Sequence, residues 1–251
     1  MLTINSVCTC TGDGVGPERR EIWTKWDQQI RLFAKYFLRH ANLPTTKQFT
    51  LLDAGCGIGS ALHEIHNIYP NAILYGCDND PDHYNECLRV HSHDATFILG
   101  DIRTMTDAYN VVYVSNVLEH LHSWKVVVLH LLEHCERLYI MVPFQETLNG
   151  QTVSLEMNHE HLTFFDKESF NFLRSDQISI EYRVIRTPYA WGHPFRRELY
   201  LRTKAFLNNK PFDLQRELLV AITNRNEIDN LLPKQPFHSR LNVIKSCMYI
   251  K

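Results

Sequence analysis

A buried apolar run that leads straight into three closely spaced glycines constrains this chain more than any other feature. Residues 51–60 read LLDAGCGIGS, with Asp53 closing the run, Gly55, Gly57 and Gly59 at alternate positions, and a helical segment beyond. Glycine at such a turn permits positive φ and lets a ligand approach the bare main chain. The start of the following helix offers unpaired N–H groups and a partial positive charge. In an open α/β sheet, a nucleotide-like ligand lies across the carboxyl ends of the strands, where strand order reverses. The spacing also argues against two ligand classes. A dinucleotide fingerprint needs its third glycine at position 60, where Ser60 stands, and a phosphate loop needs a terminal Gly-Lys-Ser/Thr, which is absent.

The surrounding pattern suits such a sheet. Apolar runs at 49–53, 72–77, 95–99, 110–115 and 138–143 read as buried strands, with helical segments at 59–69, 81–90 and 123–135. Buried runs separated by helices predict a parallel, doubly wound sheet. Ahead of it, 18–40 carries Ile22, Trp26, Ile30, Phe33 and Phe37 at spacings of three and four, with Pro17 at a first helical position. After residue 144 the rhythm changes. A short helix is expected over 166–174, capped by Asp166 with Ser169 in its first turn, and 178–187 alternates as a strand. The run 241–250 reads as a closing strand, so the last two strands are expected to form an antiparallel edge. The predicted organisation is one domain over 1–251: a helical lid at 1–47, a core at 48–190, an insertion at 191–238 contributing to the binding site, and a closing strand at 239–251.

Over about residues 48–144 the sequence resembles the class I S-adenosylmethionine-dependent methyltransferases. Four features carry the likeness: DAGCGIG at 53–59, Asp78 ending the second run, Gly100-Asp101 ending the third, and SNVLEHL at 115–121 after the fourth. The resemblance implies an α/β fold with a seven-stranded, mostly parallel Rossmann-like sheet, and S-adenosylmethionine as cofactor. It also implies roles for single residues. Gly55, Cys56, Gly57 and Gly59 would form the turn against the methionine part of the cofactor, with Asp53 ordering that turn and the amino group. Asp78, with Asn79 beside it, would take the ribose hydroxyls. Asp101 and Ile102 would contact the adenine, and Asn116 would neighbour the methionine end. Residue chemistry agrees at Asp78: a carboxylate ending a strand, 25 residues after Asp53, suits a vicinal diol.

Methyl transfer is an in-line displacement at a sulfonium, so alignment dominates, and orientation alone supplies roughly 7–11 kcal/mol. A general base adds roughly 10²–10⁴-fold when the acceptor carries a proton. Histidines supply the candidates: His120 and His122 in EHLHSW, His159 and His161 in NHEHLTFF. Related methyltransferases carry a His-x-x-x-Phe pattern facing the acceptor after the fifth strand. His161 with Phe165 fits it, which makes His161 the first choice of base and His120 the second. His159, Phe165 and the adjacent Arg196 and Arg197 are expected at the acceptor, since paired arginines grip phosphate or carboxylate. Glu119 reads as a helix-start residue stabilised by the dipole. Beside the H-x-H and E-H-x-H patterns no third ligand stands at a standard metal spacing. Where catechol-type methyltransferases hold magnesium with an acid, this chain has Tyr113, Val114 and Ser115, so no catalytic metal is expected. Ser115-Asn116-Val117-Leu118 differs from the Asp/Asn-Pro-Pro-Tyr/Phe segment of enzymes that methylate flipped bases. Val142-Pro143-Phe144 lacks the cysteine of cytosine-ring enzymes.

Charge narrows the partners further. Lys and Arg number 26 and Asp and Glu 28, a net charge of −2 that argues against DNA or an anionic membrane as a partner found by bulk charge. The seven cysteines are odd in number and form no C-x-x-C pair, which suits a reduced, cytoplasmic setting. No basic-then-apolar leader is visible, and no apolar run approaches a membrane span. The leading expectation is a methyltransferase acting on oxygen, with nitrogen second, of a small polar acceptor such as a sugar, a sugar phosphate or another surface-glycan intermediate. A homodimer is compatible with this reading. Two other readings stay open: a protein or RNA methyltransferase with a basic groove, and a regulator that binds S-adenosylmethionine without turnover.

Overall fold

Odd and even residues of each central strand serve two different cores. The computed structural model describes residues 17–41, 43, 48–145, 147–148, 151–152, 161–186, 199–200, 203–204, 206–208 and 216–224. Its strands are β1 Thr50–Ala54, β2 Ile73–Asp78, β3 Thr96–Leu99, β4 Tyr109–Ser115, β5 Cys135–Pro143, β6 Thr147–Leu148, β7 Gln151–Thr152, β8 Ile178–Arg186 and β9 Arg216–Asn224. Its helices are α1 Pro17–His40, α2 Ser60–Ile68, α3 Pro81–His91 and α4 Trp124–Glu133. Leu52, Ala54, Val112, Val114, Ile140 and Val142 pack on one face, against Trp124, Val127 and Leu131 of α4. Leu51, Val111, Tyr113, Tyr139 and Met141 pack on the other, against Phe33 and Phe37 of α1 and Leu62 and Ile65 of α2. That period of two, with both faces covered, is why these strands appear in the sequence as unbroken apolar runs.

The main sheet has the order β3-β2-β1-β4-β5-β9-β8. The first five strands are parallel, and β9 lies antiparallel between β5 and β8. The chain moves outward from β1 to β2 and β3, then returns to β4 on the other side. The crevice of a doubly wound sheet therefore falls at the carboxyl ends of β1 and β4. β6 and β7 pair as a separate two-stranded ribbon.

The seven-stranded, mostly parallel α/β sheet is as expected, but its last member is not. The antiparallel strand beside β5 is Arg216–Asn224, inside the stretch read as an insertion. Its core, Leu218-Leu219-Val220, is buried on both sides. A run of that kind has no alternation and cannot be told from a buried helix by period alone. The run 241–250 and the remainder of 225–251 lie outside the described residues. The expected short helix is a 3-10 helix, Glu168–Leu173, and its cap is present: Ser169 donates its backbone N–H to Asp166 Oδ1 at 2.8 Å. Among the described residues, no helix is long and apolar enough to cross a membrane.

Candidate functional site

Each turn that leaves the carboxyl edge of β1 to β4 delivers part of one crevice. The β1–α2 turn holds Gly55, Gly57 and Gly59 at φ of 83°, 52° and 82°, the left-handed region that favours glycine. A Cβ on Gly55 would stand 2.4 Å from Val117 Cγ2, so the glycine turn and the loop after β4 touch. A Cβ on Gly57 would meet nothing within 4 Å. That is the bare stretch of main chain a ligand can approach.

Asp78 ties the next strand end to this turn. Its Oδ2 accepts the Gly57 N–H at 2.8 Å, and its Oδ1 accepts the Asp80 N–H at 2.9 Å. His83 Nδ1 lies 3.3 Å from Oδ1. Burial raises the Asp78 pKa, but the bonds from His83, Asp80 and Gly57 outweigh it and hold the carboxyl below its usual range. Trp23 of α1 packs tilted on His83 at 5.6 Å, so the amino-terminal helix reaches this end of the crevice. Asn79 is exposed beside it. Beneath the turn, Asp53 is buried, and burial followed by the Asp78 charge pushes its pKa up to about 8.

At the end of β4, Asn116 is a non-glycine residue at φ 54°. Its N–H donates to the Met141 carbonyl at 2.8 Å and its Nδ2 to Ser115 Oγ at 3.1 Å. Its Oδ1 is buried with no hydrogen-bond partner among the described residues. A strained backbone carrying an unmatched acceptor is a mark of a site built for a donor. Together with the open cradle at Gly57, it fits a ligand that brings a cationic or N–H donor to this end.

Other expected contacts behave differently. Asp101 sits at the end of β3, where Arg103 pairs with it through Nε and holds its carboxyl below the usual range, so an adenine amine there would share the carboxylate. Ile102 packs into the core with Leu52, Ala54 and Cys77. Cys56 likewise turns its thiol into the core below the turn, which leaves only its main chain for a ligand.

Two expectations need correction. Phe165 does not face an acceptor: it is 2% exposed, stacks on Phe170 and meets Trp124 edge-on. A phenyl ring gains more in that aromatic cluster than at a wet crevice mouth. Glu119 does stand at a helix start, but not one whose dipole stabilises it. It lies in a three-residue 3-10 turn, Leu118–His120, and is buried. Such a turn is too short to build a dipole, and the buried carboxylate instead meets His120 and His161. These two histidine rings meet edge-on with centroids 4.9 Å apart. His159, Arg196 and Arg197 lie outside the described residues. Sequence reasoning did not single out His83 or Val117. His83 carried a signal, being five residues after Asp78 on a helix capped by Asp80, but Val117 looked like any apolar residue.

An open α/β sheet with a glycine cradle and an acid on the adjoining strand end defines a Rossmann-like, nucleoside-binding class of protein. A family model described as a methyltransferase domain matches residues 19–173, and the chain belongs to that family. No curated protein sequence matches it significantly. Solved structures share the fold. A plantazolicin methyltransferase, crystallised with a pentazolic desmethylPZN analogue and SAH, is similar at 18% identity and a TM-score of 0.54 over 83% of this chain and 92% of its own. The magnesium protoporphyrin IX methyltransferase of Synechocystis PCC 6803, with SAH bound, is similar at 20% identity and a TM-score of 0.54 over 85% and 90%. A coclaurine N-methyltransferase with N-methylheliamine and SAH reaches a TM-score of 0.56 at 12% identity, over 78% and 72%.

Proposed function

We propose that this methyltransferase moves a methyl group from S-adenosylmethionine to an oxygen of a small polar acceptor, a sugar, sugar phosphate or similar metabolite, with nitrogen as the second choice of atom. The observation that carries the reading is the bond from Gly57 N–H to Asp78, which fixes an open main-chain cradle against an anionic diol acceptor. When bound, S-adenosylmethionine supplies a methyl group already activated on a sulfonium sulfur.

The chain's own residues then position and desolvate. Asp78 takes the ribose hydroxyls while the bonds from His83, Asp80 and Gly57 keep it ionised and in place. Asn116 Oδ1 takes an ammonium hydrogen, and the cofactor's positive charge draws the Asp53 carboxyl beneath the same end toward its ionised form. Gly55 lets Val117 close against the turn, which aligns the methyl toward the loop after β4. Asp101 and the main chain at Ile102 and Asn79 border the adenine. The acceptor hydroxyl loses its proton beside the His120–His161 corner, one turn beyond Asn116. His159, Arg196 and Arg197 complete the acceptor side. Structurally similar proteins are named for plantazolicin, magnesium protoporphyrin IX and coclaurine.

Incubation with methyl-labelled S-adenosylmethionine and fractionated cell metabolites tests this. One small molecule is expected to gain a single labelled methyl. Label appearing only in protein or RNA, or in nothing while the cofactor binds, overturns the acceptor assignment.

A further inference from the structure

The acceptor end of the crevice contains more than a pair of bases. Glu119, His120 and His161 bring one carboxylate oxygen and two imidazole nitrogens within 4.8 Å of one another. The two histidines are 41 residues apart in the chain, so tertiary structure builds the cluster. It is also braced. The N–H groups of Leu162 and Thr163 donate to the Glu119 carbonyl at 2.7 and 3.2 Å, which fixes the His161 strand of chain against the Glu119 turn. Glu119 is 1% exposed, His161 is half-buried and His120 is exposed. The carboxylate is thus buried, and the two imidazoles lie nearer the surface, His120 in contact with solvent.

We propose that this corner binds a divalent first-row transition cation, with Glu119, His120 and His161 as its three protein ligands. Two imidazole nitrogens and one carboxylate oxygen, without a thiolate, suit zinc, cobalt or iron(II) better than magnesium or calcium. Ligand atoms around a tetrahedral ion with bonds of about 2.1 Å stand about 3.4 Å apart, so small rotations of the imidazoles close the site. Three protein ligands leave a position open, the arrangement of catalytic rather than structural metal sites.

Two other clusters meet the same distance test and are weaker. In one, His63, His93 and Asp94, the Asp94 carboxylate already accepts from His63 and His91 at 2.8 and 2.9 Å, a finished hydrogen-bonded clasp. In the other, His130, Glu133 and His134 sit at the end of α4, where the His134 carbonyl accepts the N–H of Tyr109 at the start of β4. That is the opposite edge of the sheet from the crevice. From the sequence no catalytic metal is expected, because no acid ends the fourth strand. The acid comes four residues after Ser115, and the third ligand comes from a remote loop.

The chemical consequence rests on the methyl-transfer reading. An acceptor hydroxyl in the open position is acidified by the cation, as bound water is. Its proton passes to solvent. The oxygen's electron pair forms the new bond to the methyl carbon, and the pair of the breaking carbon–sulfur bond returns to sulfur.

Cobalt(II) titration of the chelator-treated full chain, without cofactor or acceptor, reads the site directly. Uptake of one ion is expected, with a visible d–d band and no thiolate charge-transfer band. His120→Ala and His161→Ala are each expected to weaken uptake at least tenfold, while Asp94→Ala leaves it unchanged. Uptake that is unchanged in both histidine variants, or absent in protein that binds S-adenosylmethionine normally, overturns the site. If uptake follows the histidines but S-adenosylmethionine does not bind, the metal site stands and the methyl-transfer reading fails.

Discussion

Asp78 accepts three hydrogen bonds before any ligand arrives, from Gly57, Asp80 and His83. An ionised carboxylate offers about four lone-pair sites, so it can still accept from a diol while its protein bonds hold it still. Asp78→Asn places an amide donor against the N–H groups of the turn. S-adenosylmethionine affinity is expected to fall more than tenfold, or about 1.4 kcal/mol, in calorimetry. Unchanged affinity would remove the ribose assignment. Gly57 separates a cradle from mere packing. In Gly57→Ala the new methyl meets no protein atom within 4 Å, and only the left-handed backbone resists it, at a cost of about 1–2 kcal/mol. The fold is therefore expected to survive with a melting temperature lower by a few degrees, whereas cofactor affinity drops at least tenfold. A variant that melts lower yet binds normally would show that the turn does not meet the ligand. Gly55→Ala, by contrast, drives a methyl into Val117 and is expected to damage fold and binding together.

Among the elements, α1 most needs its tertiary partners to be understood. Phe37 stacks on Tyr113 at 4.3 Å and meets Tyr139 edge-on at 5.1 Å, while Asp27 takes the Ser60 hydroxyl at 2.6 Å. One face of the helix is thus core, and its Trp23 end borders the crevice. Phe37→Ala is expected to cost about 3–5 kcal/mol in denaturant unfolding, a loss that a mobile lid would not show. The central strands were legible in the sequence because both of their faces are buried, which leaves long apolar runs ending in acids. β9 was misplaced because Leu218-Leu219-Val220 carries no period, and its position between β5 and β8 depends on a crossover that no local pattern records. The cofactor end of the site was legible for a related reason: its glycines and acids follow strand ends at fixed offsets. The acceptor end was not. Phe165 fits a family pattern but lies among Trp124 and Phe170, and Glu119 meets His161 only because Leu162 and Thr163 bond back to its turn.

Asp94 and Asp53, both buried, make the stability of the whole molecule depend on pH with opposite signs. Burial raises the Asp94 pKa, but bonds from His63 and His91 lower it further, so its native value lies below the ordinary one. Stability from Asp94 is present at neutral pH and is lost as pH falls through that native value. Asp53 runs the other way. Its carboxyl titrates at about 8 in the native chain against an ordinary 3.8, through burial first and the Asp78 charge second. Between those values the unfolded chain has released a proton that the native chain keeps. Native stability therefore falls as pH rises from about 4 to about 8, by at most roughly 1.4 kcal/mol per pH unit, and then levels. Asp53→Asn is expected to flatten that decline in melting temperature while leaving the acid limb of Asp94 in place. Cofactor binding couples to the same proton. S-adenosylmethionine carries a sulfonium and an ammonium, and positive charge near Asp53 favours its ionised form. Binding at pH 7 is then expected to release part of a proton, so that the calorimetric heat varies with the ionisation enthalpy of the buffer. In Asp53→Asn that variation should disappear. If it persists unchanged, another group supplies the proton, and Asp53 does not sit beneath the charged end of the cofactor.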